Sequence, residues 1–447
     1  MVSDLPFKLN DKDVFRDKSF VNGEWIEAKS GNRFDVYDPG SGKVWATAPD
    51  MAAEDVDNAV QASYTAFQSF KKVNPRVRAQ CLLKWDALIR QHRDDIANIV
   101  TYETGKPLAE AQGELDYALG FTWWFAGEAE RVQGTVQTPA IPGRRVFTVK
   151  QPIGVAVALV PWNFPIAMIL RKAGAALAAG CTMIVKPSPE TPLSVLTLAL
   201  LAERAGFPKG VFSRTPPLSE ALCRHPLVKK VTFTGSTRVG KLVAKLCAEG
   251  LKKVTLELGG NCPFLVFDDA DLDQAATALM ALKWRHAGQA CITANRVYVQ
   301  KGIYDKFAQI LTEKTKALVV GHGADSKTTM GPVTTPRGLD KAEQQVEDAR
   351  KHGANIVLGG KKLHGTNGYN GYFFEPTLIT GAKKEMLIAH EETFAPVLAL
   401  FEFDTEEEAV QRANETSMGL ASYYFTKNID RSWRLLENLE AGMIGMK

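Results

Sequence analysis

Two short segments of the sequence place a reactive side chain among small or apolar neighbours. Cys291 lies in GQACITANR, three residues after Gly288, where small side chains would let a substrate approach the backbone. Glu257 lies in VTLELGG, an apolar run in which a carboxylate is costly unless it is neutralised or used. A thiolate is a strong nucleophile near neutral pH, and a carboxylate can activate water. The alternatives are a small buried thiol at Cys291 and a structural ion pair at Glu257.

The other cysteines show no spacing typical of a metal site or a disulfide framework. They are scattered without C-x-x-C pairs: Cys81, Cys181, Cys223, Cys247 and Cys262. In a chain of 447 residues this distribution predicts reduced thiols, so we expect no metal site.

The overall charge and hydropathy exclude several classes of function. The net charge of +4 is small for this length, and charges of both signs are interspersed, which disfavours a nucleic-acid surface. No apolar run approaches the ~20 residues that cross a bilayer. The N-terminal segment carries acidic residues and has neither a signal core nor a transit character. We therefore expect no membrane partner and a cytoplasmic location.

Short apolar strands alternate with helix-length segments in the middle of the chain. The predicted strands are VAVALV (155–160), TMIVK (182–186), VTFTG (231–235), VTLEL (254–258) and FLVF (264–267). A second strand–helix series, including RVYVQ, ANIVLGG and PVLALFEF, runs from about residue 296 to the end. Helical spacing covers 51–70 and 75–130, with a break near 105–107, and 131–150 resembles a hairpin. The alternation predicts an α/β fold with parallel strands, whose carboxyl ends collect ligands.

Six motifs in a fixed order extend this pattern to a known family. They are PWNFP (161–165), VKPSPETP (185–192), FTGSTRVG (233–240), VTLELGG (254–260), GQACITANR (288–296) and EETFAPV (391–397). Together they resemble the aldehyde dehydrogenase superfamily from about residue 20 to the last residue. The resemblance implies two parallel-sheet Rossmann-like domains and a protruding β-hairpin for homo-oligomerisation. It assigns 1–130 and 151–258 to dinucleotide binding, 131–150 to the hairpin and 259–447 to catalysis.

The resemblance also assigns chemical roles to single residues. Cys291 is expected to attack an aldehyde, and Glu257 to activate the water that hydrolyses the resulting thioester. The side-chain amide of Asn163 and the backbone N–H of Cys291 would stabilise the oxyanion. An asparagine at this strand end could instead be a turn former.

The implied cofactor is NAD or NADP, bound by residues in several of the motifs: Pro161, Trp162, Lys186, Ser188, Gly235, Ser236, Val239, Glu392 and Phe394. Pro189 stands where strictly NAD-dependent members often have a glutamate. Without that carboxylate a 2′-phosphate meets less repulsion, so use of NADP is plausible. Ala395 replaces a glycine usual in the family, which bears on the placement of Glu392 and Phe394. The segment GSTRVGKL (235–242) nearly fits a phosphate loop, but Leu242 replaces the magnesium-binding Ser or Thr.

Two arginines predict the substrate class. Arg171 follows PWNFP and Arg285 precedes the nucleophile by six residues, as in succinate-semialdehyde dehydrogenases, where arginines bind the distal carboxylate. The alternative is that they pair with protein carboxylates. Thr293 stands where some members of that subgroup carry a second cysteine, so a local redox switch is not expected.

Two departures from the family pattern keep other functions open. The stretch between Phe207 and Phe233 looks short and contains Pro216 and Pro217, which cannot sit in a central strand, so a nucleotide-domain strand is expected to be lost or displaced. The sequence stops at GMIGMK, before the final oligomerisation strand usual in the family. The alternatives are therefore an aldehyde dehydrogenase of different specificity, or an impaired cofactor- or partner-binding protein.

Overall fold

The structure is a computed structural model that describes residues 5–214, 219–365, 368 and 370–447. The chain divides into two compact units. The first unit comprises Met1–Tyr37, Val44–Glu103 and Ala111–Glu257. The second unit comprises Asp38–Lys43, Thr104–Glu110 and Leu258–Lys447.

The α-helices are α1 Ala53–Phe70, α2 Pro75–Gln91, α3 Arg93–Thr104, α4 Leu108–Glu128, α5 Pro165–Ala178, α6 Leu193–Arg204, α7 Ser219–Arg224, α8 Thr237–Ala248, α9 Leu272–Lys283, α10 Tyr304–Lys316, α11 Pro336–Lys351, α12 Leu387–His390, α13 Glu406–Asn414 and α14 Ile429–Asn438. Short 3-10 helices span Lys12–Val14, Arg285–Gly288 and Lys301–Ile303.

The strands are β1 Ser19–Val21, β2 Glu24–Ile26, β3 Arg33–Asp38, β4 Lys43–Pro49, β5 Thr135–Gln137, β6 Val146–Thr148, β7 Val155–Leu159, β8 Thr182–Lys186, β9 Phe212–Arg214, β10 Val228–Thr234, β11 Lys253–Glu257, β12 Cys262–Val266, β13 Ala294–Gln300, β14 Asn355–Leu358, β15 Lys362–Leu363, β16 Phe373–Phe374, β17 Thr377–Thr380, β18 Val397–Phe403, β19 Ala421–Phe425 and β20 Met443–Met446.

The first unit is built on a parallel sheet in the order β11-β10-β7-β8-β9. Every residue of β7 is buried, because helices cover both faces of a parallel sheet and select a continuous apolar run. The strands predicted at 155–160, 182–186, 231–235 and 254–258 are present within a few residues of their predicted bounds. The predicted α/β class with parallel strands is confirmed.

The expected loss of a strand from the first unit is wrong. β9 is present and pairs in parallel with β8, with Met183 opposite Phe212. It lies at the edge of the sheet and is only three residues long. Pro216 and Pro217 lie outside the described residues.

The second unit has a sheet in the order β14-β17-β18-β13-β12-β19-β20. Its strands are parallel except for the pair β14 and β17, which is antiparallel. Buried apolar clusters pack on the sheet, one around Leu265 and Phe401 and one around Phe264 and Leu398. Because β12 and β13 pair in this sheet, the sheet fixes both ends of the segment that connects them.

The hairpin predicted at 131–150 forms from the antiparallel pair β5 and β6. Its apolar side chains face solvent, and Val136 and Phe147 are 78% and 73% exposed. Its role in oligomerisation stays a prediction. Among the described residues, no helix combines the length and apolar character needed to cross a membrane.

Candidate active site

In the first unit, Asn163 lies buried in the turn between β7 and α5. The helix begins with Pro165, whose missing N–H is not needed in the first turn. Its next two backbone N–H groups, of Ile166 and Ala167, donate to the buried Glu114 carboxylate at 2.8 and 3.2 Å. A side chain of α4 therefore satisfies the start of α5, and Asn163 is not needed as its N-cap.

Glu257 is the last residue of β11 and pairs with Thr234 on the neighbouring strand. Its side chain is half-buried and forms no ion pair in the part of the chain that the structure describes. This disfavours the alternative of a structural ion pair. The carboxyl ends of parallel strands are where an α/β sheet presents functional groups.

Lys172 is a residue that the sequence reasoning missed. It lies buried on α5, and its Nζ donates to Thr232 Oγ1 at 3.0 Å. Burial, and next the charge of Arg171, lower the pKa of Lys172 to about 8, while the Glu257 carboxylate opposes this shift. The available signal was a lysine within the apolar face of a helix.

The residues predicted to bind the dinucleotide follow strands of the first unit. Lys186 ends β8, and Gly235 joins β10 to α8. Ser236 caps α8 by accepting a hydrogen bond from Val239 N at 3.4 Å. A Cβ at Gly235 would lie 2.5 Å from the Phe233 ring, so a larger residue there would have to displace that ring.

The start of α8 suits the diphosphate of a dinucleotide. Its first turn contains no acidic residue, and Arg238 and Lys241 are basic. Backbone N–H groups at a helix N-terminus, together with the helix dipole, favour a bound anion. The residues present therefore fit the predicted cofactor. Ser188, in the loop after β8, donates to the Glu190 carboxylate.

In the second unit, the segment 285–291 carries Cys291 at its end, and we call it the nucleophile loop after the role predicted for Cys291. His286, Ala287 and Gly288 are all left-handed, with φ values of 50°, 50° and 77°. This conformation costs about 1–2 kcal/mol for each non-glycine residue. Such strain persists only where surrounding contacts hold the backbone.

Side chains from distant segments hold the nucleophile loop. Glu110 Oε2 accepts a hydrogen bond from His286 N at 2.7 Å. Gln289 Nε2 donates to His286 O at 2.9 Å, and Thr334 N donates to Gln289 Oε1 at 2.9 Å. A Cβ at Gly288 would overlap the Ala395 carbonyl oxygen, so this position requires glycine.

The backbone around Cys291 is fixed from the other side as well. The Cys262 thiol donates to Cys291 O at 3.4 Å, and Tyr423 Oη donates to Ile292 O at 2.8 Å. A Cβ at Gly260 would overlap the same Cys291 carbonyl oxygen. The half-buried thiol of Cys291 is thus carried by a backbone with little freedom to move.

Glu392 and Phe394 lie in the same unit. Glu392 Oε1 accepts a hydrogen bond from Gly260 N at 3.2 Å. Burial raises the pKa of Glu392 to about 7, against the Gly260 N–H and the charges of Lys341 and Lys283. Phe394 has a φ of 51°. Ala395, which replaces the usual glycine, is not left-handed, so its Cβ is accommodated.

Comparison with known proteins identifies the family. Residues 25–447 match the aldehyde dehydrogenase family. The chain belongs to the aldehyde dehydrogenase family.

Relatives of this aldehyde dehydrogenase act on different aldehydes. The chain is 46% identical over 442 residues to succinate-semialdehyde dehydrogenase (NADP(+)) 1 of Schizosaccharomyces pombe, covering 98% of this chain and 88% of the relative. It is also 46% identical over 444 residues to 3-sulfolactaldehyde dehydrogenase of Pseudomonas putida, covering 98% and 90%. The crystal structure of succinate-semialdehyde dehydrogenase from Burkholderia pseudomallei matches with a TM-score of 0.96 at 44% identity, covering 98% and 91%.

Family membership confirms the predicted resemblance and the enzyme class, an NAD(P)-dependent oxidoreductase. The predicted residues of this aldehyde dehydrogenase divide between its two units. Asn163, Glu257, Arg171 and the residues around β8 and α8 belong to the first unit, whereas Cys291, Arg285, Glu392 and Phe394 belong to the second. Their joint use in one reaction stays a prediction.

The two predicted substrate arginines have different surroundings. Arg171 is half-buried, its Nη2 donates to Tyr117 Oη at 2.6 Å, and its guanidinium lies 4.8 Å from the centre of the Phe121 ring. Its Nε is buried without a hydrogen-bond acceptor, and it forms no ion pair among the described residues. The alternative of pairing with a protein carboxylate is thus disfavoured for Arg171. Arg285 is exposed, and its charge acts on the Glu110 carboxylate.

Proposed function

We propose that this aldehyde dehydrogenase oxidises short aldehydes with an anionic group at the far end, succinate semialdehyde first among them. The observation that carries the proposal is the guanidinium of Arg171, whose buried Nε has no acceptor among the described residues. A carboxylate or sulfonate would supply that acceptor in a charge-assisted hydrogen bond. The relatives from S. pombe and P. putida are named for one aldehyde of each kind.

The first step is the attack of the Cys291 thiolate on the aldehyde carbon. A C–S bond forms, and the carbonyl oxygen becomes an oxyanion. The Asn163 amide and the Cys291 backbone N–H donate hydrogen bonds to that oxygen. The strained nucleophile loop supports this role because it fixes the backbone that carries both the thiol and one donor.

NADP or NAD, when bound, supplies the acceptor for the hydride that leaves the substrate carbon. Residues of the first unit bind its phosphates and adenosine end: Lys186, Ser188, Gly235, Ser236 and Val239. Pro161, Trp162, Glu392 and Phe394 position its nicotinamide end. Pro189 places no carboxylate against a 2′-phosphate, which favours acceptance of NADP.

The second half of the reaction is hydrolysis of the thioester on Cys291. Glu257 takes a proton from water, which attacks the acyl carbon and releases the acid and the thiolate. Lys172 is close enough to Glu257 for their charges to interact.

The test compares anionic and neutral aldehydes in the variant Arg171→Gln. We expect kcat/KM for succinate semialdehyde and 3-sulfolactaldehyde to fall about tenfold or more, since a charged hydrogen bond contributes about 1.5–3 kcal/mol. Butanal, a neutral aldehyde of equal chain length, should be affected much less. The exposed Arg131→Gln serves as control. An equal loss for all three aldehydes would refute the anion-binding role. Folded protein that binds NADP but oxidises none of them would support the impaired-enzyme hypothesis instead.

The exposed hairpin of β5 and β6 supports a further proposal, that the chain forms a homo-oligomer. Val136 and Phe147 present apolar surface to solvent, which is typical of a surface that another chain covers. Phe147→Asp should lower the mass measured by analytical ultracentrifugation. An unchanged mass would contradict a role for the hairpin.

A further inference from the structure

A lysine of the second unit lies completely buried, and no carboxylate in the described part of the chain bonds to it. Lys283 ends α9, and its Nζ donates a hydrogen bond to Asn295 Oδ1 at 3.4 Å. This is its only hydrogen bond among the described residues. A buried ammonium group with a single neutral acceptor is costly. Packing alone would favour an apolar side chain there.

A series of hydrogen bonds leads from Lys283 to Glu392. Asn295, which accepts from Lys283, donates through Nδ2 to Gly260 O at 3.3 Å. The N–H of Gly260 donates to Glu392 Oε1 at 3.2 Å. One side-chain amide and one glycine residue therefore connect the ammonium and the carboxylate. Because Gly260 also packs against the Cys291 carbonyl oxygen, the series passes directly beside the nucleophile.

The charges of the two end groups act on each other. Burial lowers the pKa of Lys283 to about 7, against the negative charges of Glu392 and Cys262. Burial raises the pKa of Glu392 to about 7, against the Gly260 N–H, Lys341 and Lys283. Lys341 also lies near Glu391, with which it forms an ion pair at 3.8 Å. The ionised carboxylate thus depends on the buried lysine for part of its stabilisation.

We propose that Lys283 is a positioning residue that keeps Glu392 ionised and held against Gly260, so that Glu392 accepts hydrogen bonds from the ribose next to the nicotinamide. The inference rests on the proposed role of Glu392 in cofactor binding. In this role Lys283 acts only through its neighbours, beginning with Asn295. The role explains why a buried cation occupies a position that an apolar side chain would fill at lower cost.

The variant Lys283→Met removes the charge and keeps the length of the side chain. Without the ammonium group, the pKa of Glu392 rises, and the neutral carboxyl becomes a poorer acceptor. In the unaltered protein, NADP affinity should be present above about pH 7 and be lost as the pH falls. In the variant this loss should occur at a higher pH, so the Kd measured near pH 7, where Lys283 still carries part of its charge, should rise.

The experiment measures the Kd of NADP by tryptophan fluorescence from about pH 6 to about pH 9, a range that spans both pKa values. It uses the unaltered protein, Lys283→Met, Lys283→Gln and Glu392→Gln, with Lys306→Met on exposed α10 as control. The Gln variant retains a donor for Asn295 without the charge, and it serves if Lys283→Met does not fold. We expect both Lys283 variants to shift the pH dependence of the Kd, and Lys306→Met to leave that pH dependence unchanged. The Tm of Lys283→Met should not fall.

The double variant Lys283→Met, Glu392→Gln tests the positioning role of Lys283 separately from the cofactor-binding role of Glu392. If Lys283 acts through Glu392, the double variant binds NADP no more weakly than Glu392→Gln alone. Additive losses would overturn the inference, as would a lower Tm with an unchanged Kd. If Glu392→Gln alone leaves the Kd unchanged, the assigned role of Glu392 in cofactor binding is wrong, and the inference fails with it.

Discussion

Two loops carry predicted reactive groups, and they are built in opposite ways. The turn after β7, which contains Asn163, leads into a helix that begins with a proline and is capped by Glu114. The nucleophile loop, which ends at Cys291, contains three successive left-handed residues. The first loop follows ordinary rules for a strand-to-helix connection, whereas the second departs from them and depends on contacts that hold it.

The helix α4 supplies a carboxylate to each of the two loops. Glu110 and Glu114 lie one helical turn apart on it. Glu114 accepts hydrogen bonds from the start of α5, and Glu110 accepts one from the nucleophile loop. Similar carboxylates thus cap a regular helix in one case and stabilise a strained loop in the other. Substitutions in the two places should therefore affect different properties.

The largest effect is expected from Gly288→Ala. The new Cβ would overlap the Ala395 carbonyl oxygen at a left-handed φ, so the loop must shift. A displacement of about 1 Å costs about 10²-fold in rate, and we expect at least that loss in kcat. Gly302→Ala, where a Cβ meets open space, is the control. Steady-state kinetics measure kcat for both variants. A near-normal kcat of Gly288→Ala would show that the loop is not rigid.

The next largest effect is expected from Glu110→Ala. Loss of a charged acceptor costs about 1.5–3 kcal/mol, which should loosen the backbone at His286. At pH 8 we expect kcat and the rate of Cys291 alkylation by iodoacetamide to fall about tenfold. Glu110→Gln keeps an acceptor and should retain most of both. Equal defects in the Ala and Gln variants would point to charge rather than to the hydrogen bond.

A smaller effect, on stability, is expected from Glu114→Ala. The variant loses an acceptor for two N–H groups of α5, and a lost cap costs about 0.5–2 kcal/mol. Urea unfolding should show this loss, while the rate of Cys291 alkylation should stay unchanged. A marked fall in that rate would mean that the two loops are not independent.

A further effect is a dependence of stability on pH. Burial raises the pKa of Glu110 to about 7. Because the folded value lies above the ordinary one, its contribution to stability is present at acidic pH and is lost as the pH rises through about 7. Urea unfolding at about pH 5 and about pH 8, on either side of the shift, should show a smaller difference for Glu110→Gln than for the unaltered protein. An identical difference would show that Glu110 does not titrate in this way.

The regular parts of the fold could be predicted from sequence because they depend on local patterns. β7 is a run of five apolar residues that includes two β-branched valines, and Pro165 shortly after it is favoured at a helix start. The sequence prediction fails at β9 because prolines exclude a central strand but not a short edge strand that ends before them. Three residues suffice at a sheet edge, where one neighbour provides all the pairing.

The supports of the candidate site could not be predicted in the same way. Glu110 and His286 are separated by 176 positions, so no local pattern connects them. The left-handed backbone of His286 and Ala287 has no signal in their residue types, since neither is glycine. Lys283 appears in the sequence as an ordinary charge in a helix, and only its burial distinguishes it.

Gly260 has a consequence for attempts to change the enzyme's cofactor preference. Its N–H donates a hydrogen bond to Glu392, and its carbonyl oxygen accepts one from Asn295. Because it has no side chain, the main chain at Cys291 can approach closely. Changes around Glu392 that aim to alter its predicted contact with the nicotinamide end of the cofactor will therefore also disturb the backbone at Cys291, the predicted nucleophile. Redesign of this region has to treat the two together, with position 260 left untouched.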